Sequence, residues 1–193
     1  FDYNVESFAD IQILRYKVDG FDELSLKQKT FIYYLNEAAL WGRDILFDQN
    51  GRYNLEIRRM LEDFYQNYKG DREDKNFKGV EEYLKRVWFS NGIHHHYGSD
   101  KFVPKFERQW FVEQTKCSEE IAEVIFNPEV MPKKISLAEG VDLLLASACN
   151  YYQGVTQEEA EAFYAEMKAK GDQTHPVMYG MNSTLVKGKA GKI

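Results

Sequence analysis

Four helix-start signals constrain the fold of this chain more than any other feature of its sequence. In a capping box, a serine or threonine accepts a hydrogen bond from the backbone three residues later, and a glutamine or glutamate there bonds back. The pairs Ser25 with Gln28, Ser136 with Glu139, and Thr156 with Glu159 have this spacing. Ser118, which two glutamates follow, is a further N-cap signal, because acidic side chains suit the positive end of a helix dipole.

Apolar side chains recur at helical spacing after these signals and between them. The spacing predicts helices over residues 25–50, 53–68, 77–90, 106–116, 141–148 and 156–171, with another helix starting at Ser118. Only residues 8–14 and 177–179 resemble strands. The predicted fold class is therefore mainly α, with short strand-like segments near the two ends.

The sequence predicts three consecutive regions. Residues 1–24 form an extended segment, residues 25–171 a helical domain, and residues 172–193 a tail. A chain of 193 residues can bury a core of normal size without disulfides. Cys117 and Cys149 are too few for a disulfide framework and are interpreted as buried thiols.

The most distinctive loop of the chain spans residues 88–104, where three of the four histidines stand together. On an extended segment, His94 and His96 point the same way and could supply two metal ligands. A third ligand would come from His175, Cys117, Cys149 or a carboxylate, none of which has a supporting spacing. A solvated or hydrogen-bonding histidine cluster is therefore the favoured interpretation.

Charge and motif content exclude several classes of function. A net charge of −6 and a pI near 5.3 argue against a nucleic-acid partner. No apolar run approaches the roughly 18 residues that span a bilayer, so no membrane partner is expected. No nucleophile elbow, phosphate loop or helical zinc motif is present. The chain begins at Phe1 without a methionine or a visible signal peptide, so cytoplasmic and periplasmic locations both stay open.

Three collinear stretches resemble the N-terminal part of dipeptidyl peptidase III, a two-lobed zinc exopeptidase, in its bacterial branch. They are Leu24-Ser-Leu-Lys-Gln-Lys through Asn36-Glu-Ala-Ala-Leu-Trp-Gly-Arg43; Phe89-Ser-Asn-Gly-Ile-His-His-His-Tyr-Gly-Ser-Asp-Lys-Phe-Val-Pro104; and Asn150-Tyr-Tyr-Gln-Gly-Val-Thr-Gln-Glu-Glu-Ala160 with Tyr179-Gly-Met-Asn-Ser-Thr-Leu-Val-Lys187. The resemblance covers almost the whole chain in the expected order, and its specificity comes from that length and order.

The resemblance implies that this chain is the helical N-terminal region of an enzyme that releases dipeptides from peptide N-termini. The family's zinc site uses a His-Glu-x-x-Gly-His helix and a Glu-Glu-Cys-type motif, and neither occurs here. Zinc would therefore be bound by ligands outside this chain, the fragment alone would be inactive, and it would contribute no catalytic or metal-binding residue. The implied partners are an oligopeptide substrate and the missing catalytic lobe of the same polypeptide.

The resemblance also implies a substrate-binding position. In the family, the segment before Lys-Phe-Val-Pro lines the cleft between the lobes, and an aromatic residue there packs against the substrate. Alignment on Lys101-Phe-Val-Pro104 places Tyr97 at that aromatic position, with His96 and Gly98 beside it. The alternative hypothesis is a stand-alone helical module that binds a protein partner through the same histidine and tyrosine loop.

Overall fold

The computed structural model describes residues 1–171 and 183–193, and it divides into two compact units, Phe1–Asp44 and Ile45–Ile193. The described chain is mainly helical with a few short strands, so the predicted fold class is confirmed. The predicted strand over residues 177–179 and His175 lie outside the described residues.

The first unit contains a hairpin and a helix. Strands β1 (Asn4–Phe8) and β2 (Ile11–Leu14) pair antiparallel, a single 3-10 turn covers Phe21–Glu23, and helix α1 covers Leu26–Trp41. The predicted single strand over residues 8–14 is wrong, because Ala9 adopts a left-handed φ of 48° and the chain reverses there. Helix α1 starts at the predicted capping box of Ser25 and Gln28.

No residue of this first unit is buried. Large apolar side chains are instead exposed to solvent, and Trp41, at 85%, is the most exposed of them. Helix α1 likewise buries no residue, and the first unit ends at Asp44. The predicted continuous helix over residues 25–50 is also interrupted at Gly42, after which α2 covers Arg43–Asn50.

The second unit contains the core. Its remaining helices are α3 (Asn54–Asn67), α4 (Lys75–Ser90), α5 (Arg108–Thr115), α6 (Glu119–Phe126) and α7 (Gln157–Lys170). Helices α3, α4, α5 and α6 surround an apolar cluster rich in aromatic rings. Its most deeply buried members are Ile57, Leu61, Phe77, Val80, Leu84, Val87, Ile93, Phe111 and Ile125.

Two predicted helix starts in this unit are confirmed, and the predicted capping box of Ser136 and Glu139 is wrong, because Ser136 Oγ accepts the amide of Ala138 and no helix follows. Ser118 caps α6, and Thr156 forms a complete capping box with Glu159 at the start of α7. Residues 141–148 contain only a turn, because the Asp142 carboxylate accepts the amides of Leu144 and Leu145 and also that of Gln157. One side chain thus closes a local turn and holds the start of α7, and no helix extends from it.

Strands β3 (Tyr152–Gln153) and β4 (Leu185–Val186) pair parallel to each other. The amide of Leu185 donates to the carbonyl of Tyr151 at 2.8 Å, and the amide of Lys187 donates to the carbonyl of Gln153 at 3.0 Å. The described end of the predicted tail is therefore part of the second unit.

We expect Gly79→Ala to destabilise the protein although alanine is the better helix former. A Cβ at position 79 of α4 would lie 2.6 Å from the backbone oxygen of Lys105, so the helix or that segment must shift. Such overpacking costs about 1–3 kcal/mol, while the gain in helix propensity is about 1 kcal/mol.

Urea denaturation should therefore show a net loss of up to about 2 kcal/mol in the free energy of unfolding. Gly42→Ala is the matched control, because a Cβ there would meet only the oxygen of Ala39, at an ordinary 3.4 Å. If Gly79→Ala were as stable as the wild type, α4 and the backbone at Lys105 would have room for the extra methyl group, contrary to the 2.6 Å approach.

Candidate functional site: the histidine loop

The histidine loop, residues 91–104, begins directly after α4. Its first two residues, Asn91 and Gly92, have positive φ angles, which most residue types adopt only with strain. Asn91 adopts a left-handed φ of 52°, and the amide of Gly92 donates to the carbonyl of Val87 at 3.0 Å. A Cβ at Gly92 would lie 2.3 Å from Nδ2 of Asn54, the buried first residue of α3. The Asn54 Oδ1 accepts the amide of Ile93 at 3.2 Å, so the start of the loop is fixed to α3.

His94 is a buried structural residue of this loop. Its ring is 2% exposed, and Nε2 lies 2.8 Å from the carbonyl oxygen of Met131. Since a carbonyl can only accept, Nε2 carries the proton and Nδ1 is the unprotonated nitrogen. Burial, together with the nearby charges of Lys101 and Lys134, lowers the pKa of His94 from its ordinary 6.5 to about 4, although the bond to Met131 and the charge of Asp100 act in the opposite direction. His94 is therefore neutral at physiological pH and faces the protein interior.

His95 shapes the tip of the loop. Its Nδ1 accepts the backbone amides of Tyr97 at 3.2 Å and Gly98 at 2.9 Å. Its own amide donates to the carbonyl of Asp100 at 2.7 Å, and its carbonyl accepts the amide of Ser99 at 3.1 Å. The tip is thus a tight turn and not the extended segment on which His94 and His96 would point the same way.

The three predicted substrate-binding residues lie together at this turn. Tyr97 is 88% exposed, and Gly98 beside it is exposed as well. The half-buried ring of His96 stacks on His95 with centroids 4.4 Å apart and meets the edge of Phe89 at 4.9 Å. The Tyr97 ring centroid lies 4.3 Å from that of His96, so a fixed aromatic stack supports an exposed ring.

Lys101 anchors the returning strand of the loop, a role that its position in the sequence did not indicate. Its ammonium donates to the carbonyls of Val124 at 3.0 Å, Val130 at 2.6 Å and Asn127. These carbonyls belong to the last turn of α6 and the residues after it, where the helix dipole is negative. Burial lowers the pKa of Lys101, while the charge of Glu123 raises it.

Residues 132–134 connect the histidine loop to Ala148 and Cys149, which directly precede a tyrosine-containing loop at residues 150–154. The amide of Lys134 donates to the carbonyl of Ser99 at 2.8 Å, and its carbonyl accepts the amide of Cys149 at 3.1 Å. Lys134 Nζ also lies 3.3 Å from the carbonyl of His96, and Lys133 pairs with Asp100. No sequence motif marks these two lysines.

An apolar cavity of about 270 Å³ adjoins the returning strand of the loop. Its walls include Phe102, Val103, Pro104, Pro128 and Pro132. Asp100, which also lines the cavity, is three residues from Tyr97, a distance of at most about 11 Å along the chain.

Neither a metal-binding cluster nor a membrane-spanning helix is found among the described residues. Within residues 1–171 and 183–193, no three His, Cys, Asp or Glu side chains are grouped to hold a metal. Cys117 and Cys149 are free, half-buried thiols, and burial raises the pKa of Cys149. Over the same residues, no helix has the length and apolar character to cross a bilayer.

Comparison with known proteins adds no family assignment. No protein-family model matches this sequence, and no curated protein is significantly similar to it.

Proposed function

We propose that this chain is the helical N-terminal part of a dipeptidyl peptidase III-like zinc exopeptidase and supplies part of its substrate cleft. The observation that carries the proposal is the exposed ring of Tyr97 on a turn fixed by local hydrogen bonds. An exposed aromatic ring whose backbone is already ordered loses little conformational entropy on binding. This is the property expected of a residue that packs against a bound peptide.

In this proposal His96 and Gly98 assist Tyr97 in different ways. The His96 ring lies against Phe89 and His95 and limits how far the tyrosine ring can move toward the loop. Gly98 has no side chain, so the backbone beside Tyr97 stays accessible to a peptide main chain. In the proposal the chain binds and orients substrate and the zinc ligands lie outside it, because neither zinc motif of the family occurs in this sequence.

The first unit also supports a role within a larger protein. None of its residues is buried, while Tyr16, Trp41 and Leu26 are each about four-fifths exposed. So many exposed large apolar side chains in one unit are typical of a surface that another protein surface covers. We infer that the catalytic lobe of the same polypeptide covers it.

We expect Tyr97→Ala in the full-length enzyme to raise KM for an oligopeptide about tenfold, the value of one well-packed aromatic contact. The zinc content and the melting temperature should stay unchanged, because Tyr97 is exposed and its backbone amide still bonds His95. Tyr97→Phe is the matched control, since it keeps the ring and should keep most of the affinity.

Steady-state kinetics with a chromogenic dipeptidyl-arylamide and with a longer peptide would measure this effect. Wild-type kinetics in Tyr97→Ala would remove the loop from the substrate site. A coding frame that stops after Ile193, without a downstream His-Glu-x-x-Gly-His, would overturn the peptidase assignment and favour a stand-alone binding module.

A further inference from the structure

A second cavity, away from the histidine loop, lies where the C-terminal ends of α3 and α5 meet. Its volume is about 490 Å³, within the range of small-molecule sites and far larger than a bare metal ion needs. Its walls include Asp63, Phe64, Asn67, Tyr68, Lys69 and Gln114. The cavity therefore combines an aromatic surface with polar side chains.

The electrostatics of this cavity favour a positive ligand. The last carbonyls of a helix have no partner inside the helix, and they carry the negative end of its dipole. Two such ends, at Asn67 and Thr115, border the cavity, and the exposed carboxylate of Asp63 adds a full negative charge. Lys69 also lines the cavity, and its positive charge opposes the binding of a cation.

The aromatic wall provides a second kind of attraction for a cation. Phe64 is buried and Tyr68 is half-buried, and their ring centroids lie 5.1 Å apart at an angle of 47°. The faces of such rings attract ammonium and guanidinium groups. Gly70 helps to place this wall, because a Cβ at that position would lie 2.4 Å from the Tyr68 hydroxyl.

The protein already binds a guanidinium of its own at this helix end. Arg72 Nη2 donates to the carbonyl of Tyr65 in the last turn of α3 at 2.9 Å. Its guanidinium carbon lies 5.2 Å from the ring centroid of Tyr65 and 5.1 Å from that of Phe77. The same combination of helix carbonyls and aromatic rings thus holds a cation a few residues from the cavity.

We propose that the cavity between the ends of α3 and α5 binds an organic cation, an ammonium or guanidinium group carried on an apolar body. The charged group lies near Asp63 and the helix carbonyls, and the apolar body packs on Phe64 and Tyr68. This site is independent of the histidine loop and of the proposed peptidase function.

Three probes with one skeleton test the charge preference: 2-phenylethylammonium, 2-phenylethanol and phenylacetate. Each is titrated into the isotopically labelled 193-residue chain, and shifts of the amide resonances around the cavity are followed by NMR. We expect the ammonium to bind at least about fivefold more tightly than the carboxylate. Equal or tighter binding of phenylacetate, or no shift with any probe at its solubility limit, would overturn the proposal.

Two charge-neutralising variants should change the affinity in opposite directions. Asp63→Asn keeps an acceptor for the Asn67 side chain, which lies 3.0 Å away, and should weaken ammonium binding about fivefold. Lys69→Gln removes the opposing charge and should strengthen it about two- to fivefold. Glu158→Gln, on an exposed part of α7, is the matched control and should have no effect. Changes of the same sign for Asp63→Asn and Lys69→Gln, or no change in either, would contradict the assignment.

Discussion

Replacing Lys101 with methionine is expected to lower the free energy of unfolding by about 2–4 kcal/mol. Methionine keeps most of the length and apolar stem of lysine but removes the ammonium group. The carbonyls of Val124, Asn127 and Val130 then lose a charged donor in a partly buried place. Urea denaturation at neutral pH measures the loss directly.

Lys133→Met is the matched control for this prediction. Lys133 pairs with Asp100 close by, but both side chains are largely exposed, and exposed ion pairs contribute at most about 1 kcal/mol. A loss in Lys133→Met as large as that in Lys101→Met would mean that general charge effects, and not the three carbonyl bonds, explain the result.

The second large effect is a loss of stability in mild acid. Because the pKa of buried His94 is near 4 and that of an unfolded histidine is near 6.5, the unfolded chain binds the extra proton first. The stabilisation is complete above pH 6.5 and is lost as the pH falls toward 4, with a slope of about 1.4 kcal/mol per pH unit. Lys101 and Lys134 face this ring and oppose its protonation, while Asp100 favours it.

Urea denaturation at several pH values between 7 and 4.5 should show this slope. In His94→Gln, an amide nitrogen replaces Nε2 as the donor to Met131 and does not titrate, so the slope between pH 6.5 and 4.5 should largely disappear. We expect this variant to be less stable than the wild type at pH 7. The quantity to compare is therefore the change of the unfolding free energy with pH, and not its absolute value. An unchanged slope in His94→Gln would assign the acid sensitivity to other groups.

Local signals in the sequence were sufficient where the structure itself is local. The caps of α1, α6 and α7 were predicted because each involves residues only three positions apart. The helix predicted over residues 141–148 failed because the Asp142 carboxylate also bonds Gln157, fifteen residues away. Its apolar pattern was compatible with a helix, but nothing in the pattern shows that distant bond.

The candidate site illustrates the same limit. The sequence identified the loop, its alternation paired His94 with His96 as possible metal ligands, and the family resemblance gave His96, Tyr97 and Gly98 as the substrate-binding residues. The structure separates the histidines because His94 bonds Met131, 37 residues away, whereas His95 bonds amides two and three residues away. Only the second kind of bond can be anticipated from spacing.

Bonds within the loop hold the backbone amides at the tip of the histidine loop, while Lys134 bonds the carbonyls of His96 and Ser99 from outside it. The side chain and backbone of His95 hold the amides of Tyr97, Gly98 and Ser99, and no bond at the tip involves the tyrosine ring. The side chain at position 97 can therefore be exchanged without changing the path of the backbone that presents it. A substitution at this one position would therefore leave intact the stability that the buried His94 and the half-buried Lys101 provide elsewhere in the loop.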